Sequence, residues 1–404
     1  MANIDKREGR KRPYRVNWTD RLTGKRRNKS FEKRKQAQAF LETVGSQENF
    51  ITQSHPTATV SDALNRWFKL STTTGRNGRP PVEKSTYTKY ALHMRKIEGV
   101  IGNLKLCELT PKDCNDFRDA LLEKYSRPYS KKILTSFKSA LSQAVIDEFI
   151  TKSPATNTTV IISKREAMAS RVKIPDMREL KALTSTIDKL MNDNNQQTRD
   201  AWARYGVIFY TMLYTGLRPS EIRGLGWNSI DWKNNRMKIE RRADDDGALG
   251  PLKSAAGYRT ITITTKVMEF LKLWREKCPS SPKNLVFPNF KGNVESLSNI
   301  TNRGWYVLCR KAGLTQFDEN NKERVKYKLY TLRHTKASLE IALNRSPKRV
   351  QTLMGHANIK MTFDIYGHLF EDESLQDDPN DLETLINKNV QITSREDQGI
   401  DKSC

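Results

Sequence analysis

The spacing of the apolar residues changes character near Ile174, and that change limits what this chain can fold into. Val60, Leu64, Trp67 and Phe68 recur at helical spacing, and the same period continues over 87–97, 110–125 and 130–150, broken by the Gly- and Pro-containing stretch 74–81. Residues three and four apart share one helix face, so each run predicts a helix with one face buried against its neighbours. The block ends at Ser153-Pro154 and reads as an all-α domain over 57–160. From Ile174 the pattern is mixed: helical spacing over 177–191 and 199–215, strand-like runs over 236–239 and 259–263, then helices again from Ile300 onward. Helices alone and helices with strands bury different layers. The expected fold class is therefore multidomain and mainly α with α+β, an all-α domain preceding an α+β domain over 174–370.

A third unit, over 1–50, is marked by charge. Residues 1–35 hold 14 Lys and Arg against four acids, so +10 of the formal net charge of +25 sits in one short segment. Tyr14, Val16 and Trp18 alternate with polar residues, Thr23-Gly24 supplies a turn, and 25–31 resumes an extended pattern. This predicts a small β-hairpin or sheet followed by a helix over 32–44. The interleaved aromatics favour a folded module over a disordered basic tail. Its candidate DNA-binding residues are Arg10, Lys11, Arg12, Arg15, Lys25, Arg26, Arg27 and Lys29, joined by Lys131, Lys132 and Lys138 on the last helix of the all-α domain. Residues 52–56 read as a linker. A chain with 71 Lys and Arg against 46 Asp and Glu suits a polyanionic partner, although a ribosomal protein would share that balance.

Composition narrows the class further. No run of about 18 apolar residues occurs, and Met1 is followed by polar and charged residues in place of an apolar signal segment. A soluble, cytoplasmic protein without a membrane partner is expected. The five cysteines, Cys107, Cys114, Cys278, Cys309 and Cys404, are odd in number and form no Cys-x-x-Cys pair, which argues against a disulfide framework and a structural zinc site. After Phe370 come seven acids within 371–383 and then Leu382, Leu385, Ile386, Asn389 and Val390 at helical spacing. The segment 371–404 reads as an acidic tail, either a short helix seeking an apolar groove or a frayed terminus.

Chemistry concentrates in the α+β block. Thr215-Gly216-Leu217-Arg218-Pro219-Ser220-Glu221-Ile222 falls where one helix ends and another begins, with Gly216 able to close the first and Pro219 or Ser220 able to open the second. Arg218 sits at that turn; taken alone, it could simply cap a helix or pair with Glu221. Tyr330-Thr331-Leu332-Arg333-His334-Thr335 opens another helix and offers a second Arg. Two guanidinium forks converging on one phosphate would neutralise the charge that builds on a five-coordinate phosphorus. Lys253 lies in the connection 250–259 between the two strand runs, read as the tip of a hairpin, where a mobile ammonium could protonate a departing alkoxide and an ordinary surface Lys is the alternative. His356 follows Met354-Gly355, and Tyr366 comes ten residues later. A buried capped His and a half-buried core phenol are the plain readings of those two.

In order, Arg218, Lys253, Arg333, His356 and Tyr366 resemble the active-site series of the tyrosine recombinase, or phage integrase, family. The surrounding residues carry the resemblance too. Thr-Gly-Leu-Arg-x-x-Glu with Leu225-Gly226-Trp227 is similar to the family's first box, and Leu332-Arg333-His334-Thr335 with Met354-Gly355-His356 through Tyr366 is similar to its second. Segment 1–50 looks like an arm-type DNA-binding domain and 57–160 like a helical core-binding domain. The resemblance implies that Tyr366 attacks a DNA phosphate to form a 3′-phosphotyrosyl link, Arg218 and Arg333 hold the phosphate, Lys253 protonates the leaving 5′-oxygen and His356 hydrogen-bonds the phosphate. It implies double-stranded DNA with core and arm-type sites as substrate, a tetramer on DNA, and partners that bend DNA or set direction. Because the covalent link conserves the bond energy, no ATP, metal or other cofactor is called for.

One departure stands out. The family usually places His three residues before its second Arg, and here that position is Tyr330. Phenols release their proton near pH 10 and are poor bases at neutral pH, so the proton-accepting role is left open. The other readings are a type IB topoisomerase-like nicking and closing enzyme and a DNA-binding protein without catalysis.

Overall fold

A computed structural model of the chain describes residues 3–7, 9, 12–19, 26–48, 57–163, 166 and 172–370. Those residues form two compact units that divide between Ala169 and Ser170. The linker 52–56, the acidic tail 371–404 and the candidate DNA contacts Arg10, Lys11 and Lys25 lie outside the described residues.

The first unit opens with a three-stranded antiparallel sheet in the order β1 (Asn3–Lys6), β2 (Tyr14–Thr19), β3 (Arg26–Phe31), followed by helix α1 (Arg34–Glu48). Pairing of Tyr14 with Phe31 and of Val16 with Lys29 sets the β2–β3 register. Val16 and Ala37 are fully buried, and the Phe31 and Phe40 rings pack at 5.1 Å, tying α1 to the sheet. Strand β1 adds to the expected hairpin; it is short and polar, with Ile4 its only apolar residue, so alternation could not reveal it. On β3, Arg26, Arg27 and Lys29 are exposed, with the Lys29 ammonium 4.8 Å from the Phe40 ring centroid. Arg15 is half-buried on β2, and Arg12 pairs with Glu32 at 3.6 Å.

The rest of the first unit is helical: α2 (Val60–Thr73), α3 (Lys84–Ile101), α4 (Pro111–Lys124) and α5 (Arg127–Ile146). Two of these helices start on reciprocal caps, Thr59 with Asp62 and Thr110 with Asp113, which satisfy N–H groups that the first turn leaves unpaired. Val60, Leu64, Trp67, Ile97, Phe117, Ile133, Phe137 and Leu141 fill the core, and each such side chain contributes roughly 1.5–3 kcal/mol by leaving water. Lys131 and Lys132 are exposed on α5. The Lys138 ammonium donates to the carbonyls of Thr156 at 2.8 Å and Thr158 at 3.1 Å, fastening the chain after α5.

The second unit is built round α7 (Gln196–Thr215), preceded by α6 (Met177–Met191) and followed by α8 (Pro219–Gly224). Trp202, Tyr205, Ile208, Phe209, Tyr210 and Met212 are all buried, so from Trp202 onward α7 is covered on every side, the pattern of a helix enclosed by others. It packs against α6, α9 (Thr265–Lys277) and α11 (Thr331–Ala342). A three-stranded antiparallel sheet, β4 (Ile230–Asp231), β5 (Arg236–Ile239) and β8 (Arg259–Thr262), covers part of this core. Between β5 and β8 stands a second hairpin, β6 (Arg241–Ala243) with β7 (Leu249–Pro251). Its turn spans 244–248, where Gly247 has φ 80°, so Lys253 is not at a hairpin tip but on the return from β7 towards β8. Helix α10 (Tyr306–Lys311), hairpin β9 (Thr315–Phe317) with β10 (Glu323–Val325), α11, α12 (Pro347–Met354) and α13 (Ile359–Tyr366) complete the unit. Among the described residues no helix is long and apolar enough to cross a membrane.

Candidate active site

Two glycine turns and one helix start meet at the site. Helix α7 stops at Gly216, whose φ of 67° is left-handed, and Arg218 then caps α8 with Pro219 at its first position. Helix α12 stops at Gly355, again left-handed with φ 62°. A side chain at Gly216 would bring its Cβ to 2.3 Å from Met354 Cε, and one at Gly355 would come within 2.9 Å of Arg259 Nη1 and 3.0 Å of the Ala256 carbonyl. Both positions therefore demand glycine for conformation and for space.

The carbonyls that these helix ends leave unpaired are filled by guanidinium groups. Arg333, at the start of α11, donates through Nη1 to the Gly216 carbonyl at 2.6 Å and through Nη2 to the Met354 carbonyl. Arg218 donates through Nη2 to the Gly355 carbonyl at 2.9 Å and through Nη1 to Glu221 Oε1 at 2.6 Å. Arg259 donates to the Leu353 carbonyl at 2.9 Å and to Glu221 Oε2 at 2.9 Å. Each guanidinium has five N–H donors, so Arg218 and Arg333 keep donors for a ligand after bracing the turns. Burial, and then the positive charge of Arg218, draws the Arg333 pKa down to about 10, which leaves it protonated at neutral pH.

Glu221 is 2% exposed and shared by Arg218 and Arg259. Burial pushes its carboxyl up, but Arg259, Arg218 and the Arg218 backbone N–H outweigh this and hold it below the usual carboxylate range. Its share of stability is therefore present at neutral pH and lost as pH falls through that lowered value. Breaking a buried pair strands the partner charge, so Glu221→Ala should destabilise this unit by about 3–5 kcal/mol. A urea midpoint equal to the wild type would rule out that structural role.

His356 is buried, with Nδ1 3.0 Å from Thr362 Oγ1, an arrangement that leaves Nε2 as the nitrogen for a ligand. Burial and the Arg333, Arg218 and Arg259 charges lower its pKa to about 4. Tyr366, at the end of α13, is 3% exposed, and its hydroxyl lies 2.6 Å from Nδ1 of His334. Burial raises the pKa of that phenol beyond the ordinary tyrosine range, against a smaller lowering by Arg333. Tyr330 is 40% exposed and its ring stands edgewise on His334, centroids 5.0 Å apart. Lys253 is exposed, three residues before the Ala256 carbonyl that approaches Gly355. The structure thus gathers Arg218, Tyr330, Arg333, His356 and Tyr366. It adds His334, Arg259 and Thr362, of which only His334, adjoining Arg333, had a visible cue in the sequence.

Braced guanidinium groups with donors to spare, beside a buried tyrosine hydroxyl, are suited to phosphoryl transfer through tyrosine. Over residues 178–373, a span holding every one of these side chains, the chain matches a sequence model described as the phage integrase family. It is 27% identical over 292 residues to the integrase of Staphylococcus phage L54a, covering 67% of this chain and 78% of the relative. It is 24% identical over 383 residues to a XerC-like tyrosine recombinase of Caldanaerobacter subterraneus, covering 87% and 89%. Among solved structures, the Tn1549 transposon integrase in complex with a circular intermediate DNA shares the fold with a TM-score of 0.63 and 19% identity, over 81% of this chain and 99% of that one. The lambda integrase tetramer bound to a Holliday junction gives a TM-score of 0.54 and 16% identity, over 88% and 96%.

Proposed function

We infer that this protein is a site-specific DNA recombinase that cuts and rejoins double-stranded DNA through a 3′-phosphotyrosine, integrating and excising a mobile element. The observation that carries this reading is the pair of carbonyl-braced guanidinium groups beside His356 and the buried Tyr366 hydroxyl. Arg218 and Arg333 take the non-bridging oxygens of the scissile phosphate, and His356 donates a further hydrogen bond through Nε2. The Tyr366 oxygen forms the bond to phosphorus, the P–O5′ bond breaks, and Lys253 gives the departing oxygen its proton. Attack by a 5′-hydroxyl on the phosphotyrosine reverses these steps and joins the new strand. The exposed cations Arg26, Arg27, Lys29, Lys131 and Lys132 serve as further DNA contacts, the first three on arm-type sites. The lambda integrase tetramer bound to a Holliday junction supports a tetramer on DNA, and the same reading takes in accessory proteins that bend DNA or set direction and a cytoplasmic location.

The test is a suicide duplex bearing attachment sites, nicked so that cleavage releases a short strand that cannot religate. A covalent protein–DNA complex is expected only with the cognate site. Relaxation of supercoiled plasmid lacking any such site would replace this reading with a nicking and closing enzyme, and binding without adduct would replace it with a non-catalytic DNA-binding protein.

A further inference from the structure

The step that the proposed chemistry leaves unassigned is removal of the nucleophile's proton. Tyr330 occupies the place from which that proton is usually taken, and its half-exposed ring faces His334. His334 lies one helical turn along α11 from Tyr330 and so on the same face. Its Nδ1 is 2.6 Å from the Tyr366 oxygen, with the two rings 5.8 Å apart, so an imidazole one turn further along the helix is in contact with that oxygen.

We propose that His334 is a catalytic residue that takes the proton of Tyr366 during strand cleavage and returns it on rejoining. The inference rests on the recombinase reading above. The Tyr366 O–H bond breaks, its proton passes to Nδ1, the phenolic oxygen bonds to phosphorus, and the P–O5′ bond breaks as Lys253 protonates the leaving oxygen. In rejoining, the imidazolium gives the proton back to the phenolate. The tautomer required carries its proton on Nε2 and leaves the Nδ1 lone pair towards the hydroxyl. Burial, and then the Arg333 charge, lower the His334 pKa to about 4, so the ring is neutral and able to accept at physiological pH. A phenol of raised pKa would not ionise beforehand. Transfer therefore accompanies bond formation, because an oxygen bonding to phosphorus becomes far more acidic. The phosphate charge in turn favours the imidazolium.

The test measures single-turnover formation of the covalent complex on the suicide duplex by wild type, His334→Gln, His334→Ala and Tyr330→Phe. Gln can accept the Tyr366 hydrogen bond through its side-chain oxygen but cannot take a proton at neutral pH. His334→Gln is expected to lose on the order of 10²-fold or more at pH 7, with DNA binding retained and the deficit shrinking as pH rises. His334→Ala is expected to lose as much and to be partly restored by added imidazole. A His334→Gln rate equal to wild type overturns proton acceptance and makes His334 a positioning residue. A pH-dependent loss confined to Tyr330→Phe transfers the role to Tyr330. Should the alanine variant fail to bind DNA, the glutamine variant carries the test. Absence of any wild-type adduct overturns the recombinase reading and this inference with it, whereas a wild-type adduct with an unaffected His334→Gln overturns this inference alone.

Discussion

Tyr366→Phe is expected to bind DNA like the wild type and to yield no covalent complex on a substrate that traps the wild-type adduct. Removing a nucleophile outright typically costs 10⁶-fold or so in turnover, since no neighbouring group takes over the covalent step. Phe keeps the ring that packs with Ala337, Val350 and Met354 and removes one oxygen. What is lost structurally is the contact with His334 Nδ1, worth about 1–3 kcal/mol at most if the ring nitrogen is left unpaired. The fold should therefore survive, as a thermal melt would show. Persistence of an adduct in this variant would assign the nucleophile to another residue.

Arg333→Lys should lower the single-turnover cleavage rate by about 10²–10³-fold or more, the range for loss of one preorganised donor to a developing oxyanion. The charge is conserved in this change, so the prediction isolates geometry. Arg333 is 1% exposed and joins the Gly216 and Met354 carbonyls while keeping other donors for the phosphate. An ammonium places three donors on a single atom and cannot span both carbonyls and an incoming phosphate. Stability should fall as well, because at least one helix-end carbonyl loses its partner. A lysine variant cleaving at the wild-type rate would mean that charge alone suffices at this position.

Much of this architecture was legible because local chemistry and burial agree. Helix α6 begins on the Asp176–Glu179 capping box and runs over Met177–Met191 as its apolar spacing predicts. Gly216, and the proline opening α8, announced the helix end that carries Arg218. What escaped depends on contacts between distant parts of the chain. Strands β6 and β7 have three residues each, too few for alternation to register, and their presence moves Lys253 off the expected tip. Lys138 reads as a surface cation until the chain after α5 folds back and places the Thr156 and Thr158 carbonyls on it. His334 meets Tyr366 across 32 residues, a juxtaposition that no periodicity encodes.

The bracing of the two glycine turns bears on when this protein becomes able to act. Arg218 is aimed by the Gly355 carbonyl, and Arg333 by the carbonyls of Gly216 and Met354, so neither grip is complete until residues near 355 are in place. On the ribosome the basic sheet and the helical module emerge long before that point, and Tyr366 emerges after it. On the proposed chemistry, a chain that has only its first unit out of the ribosome lacks both an aimed phosphate grip and a nucleophile. On that chemistry cutting competence arrives last, after both turns are set.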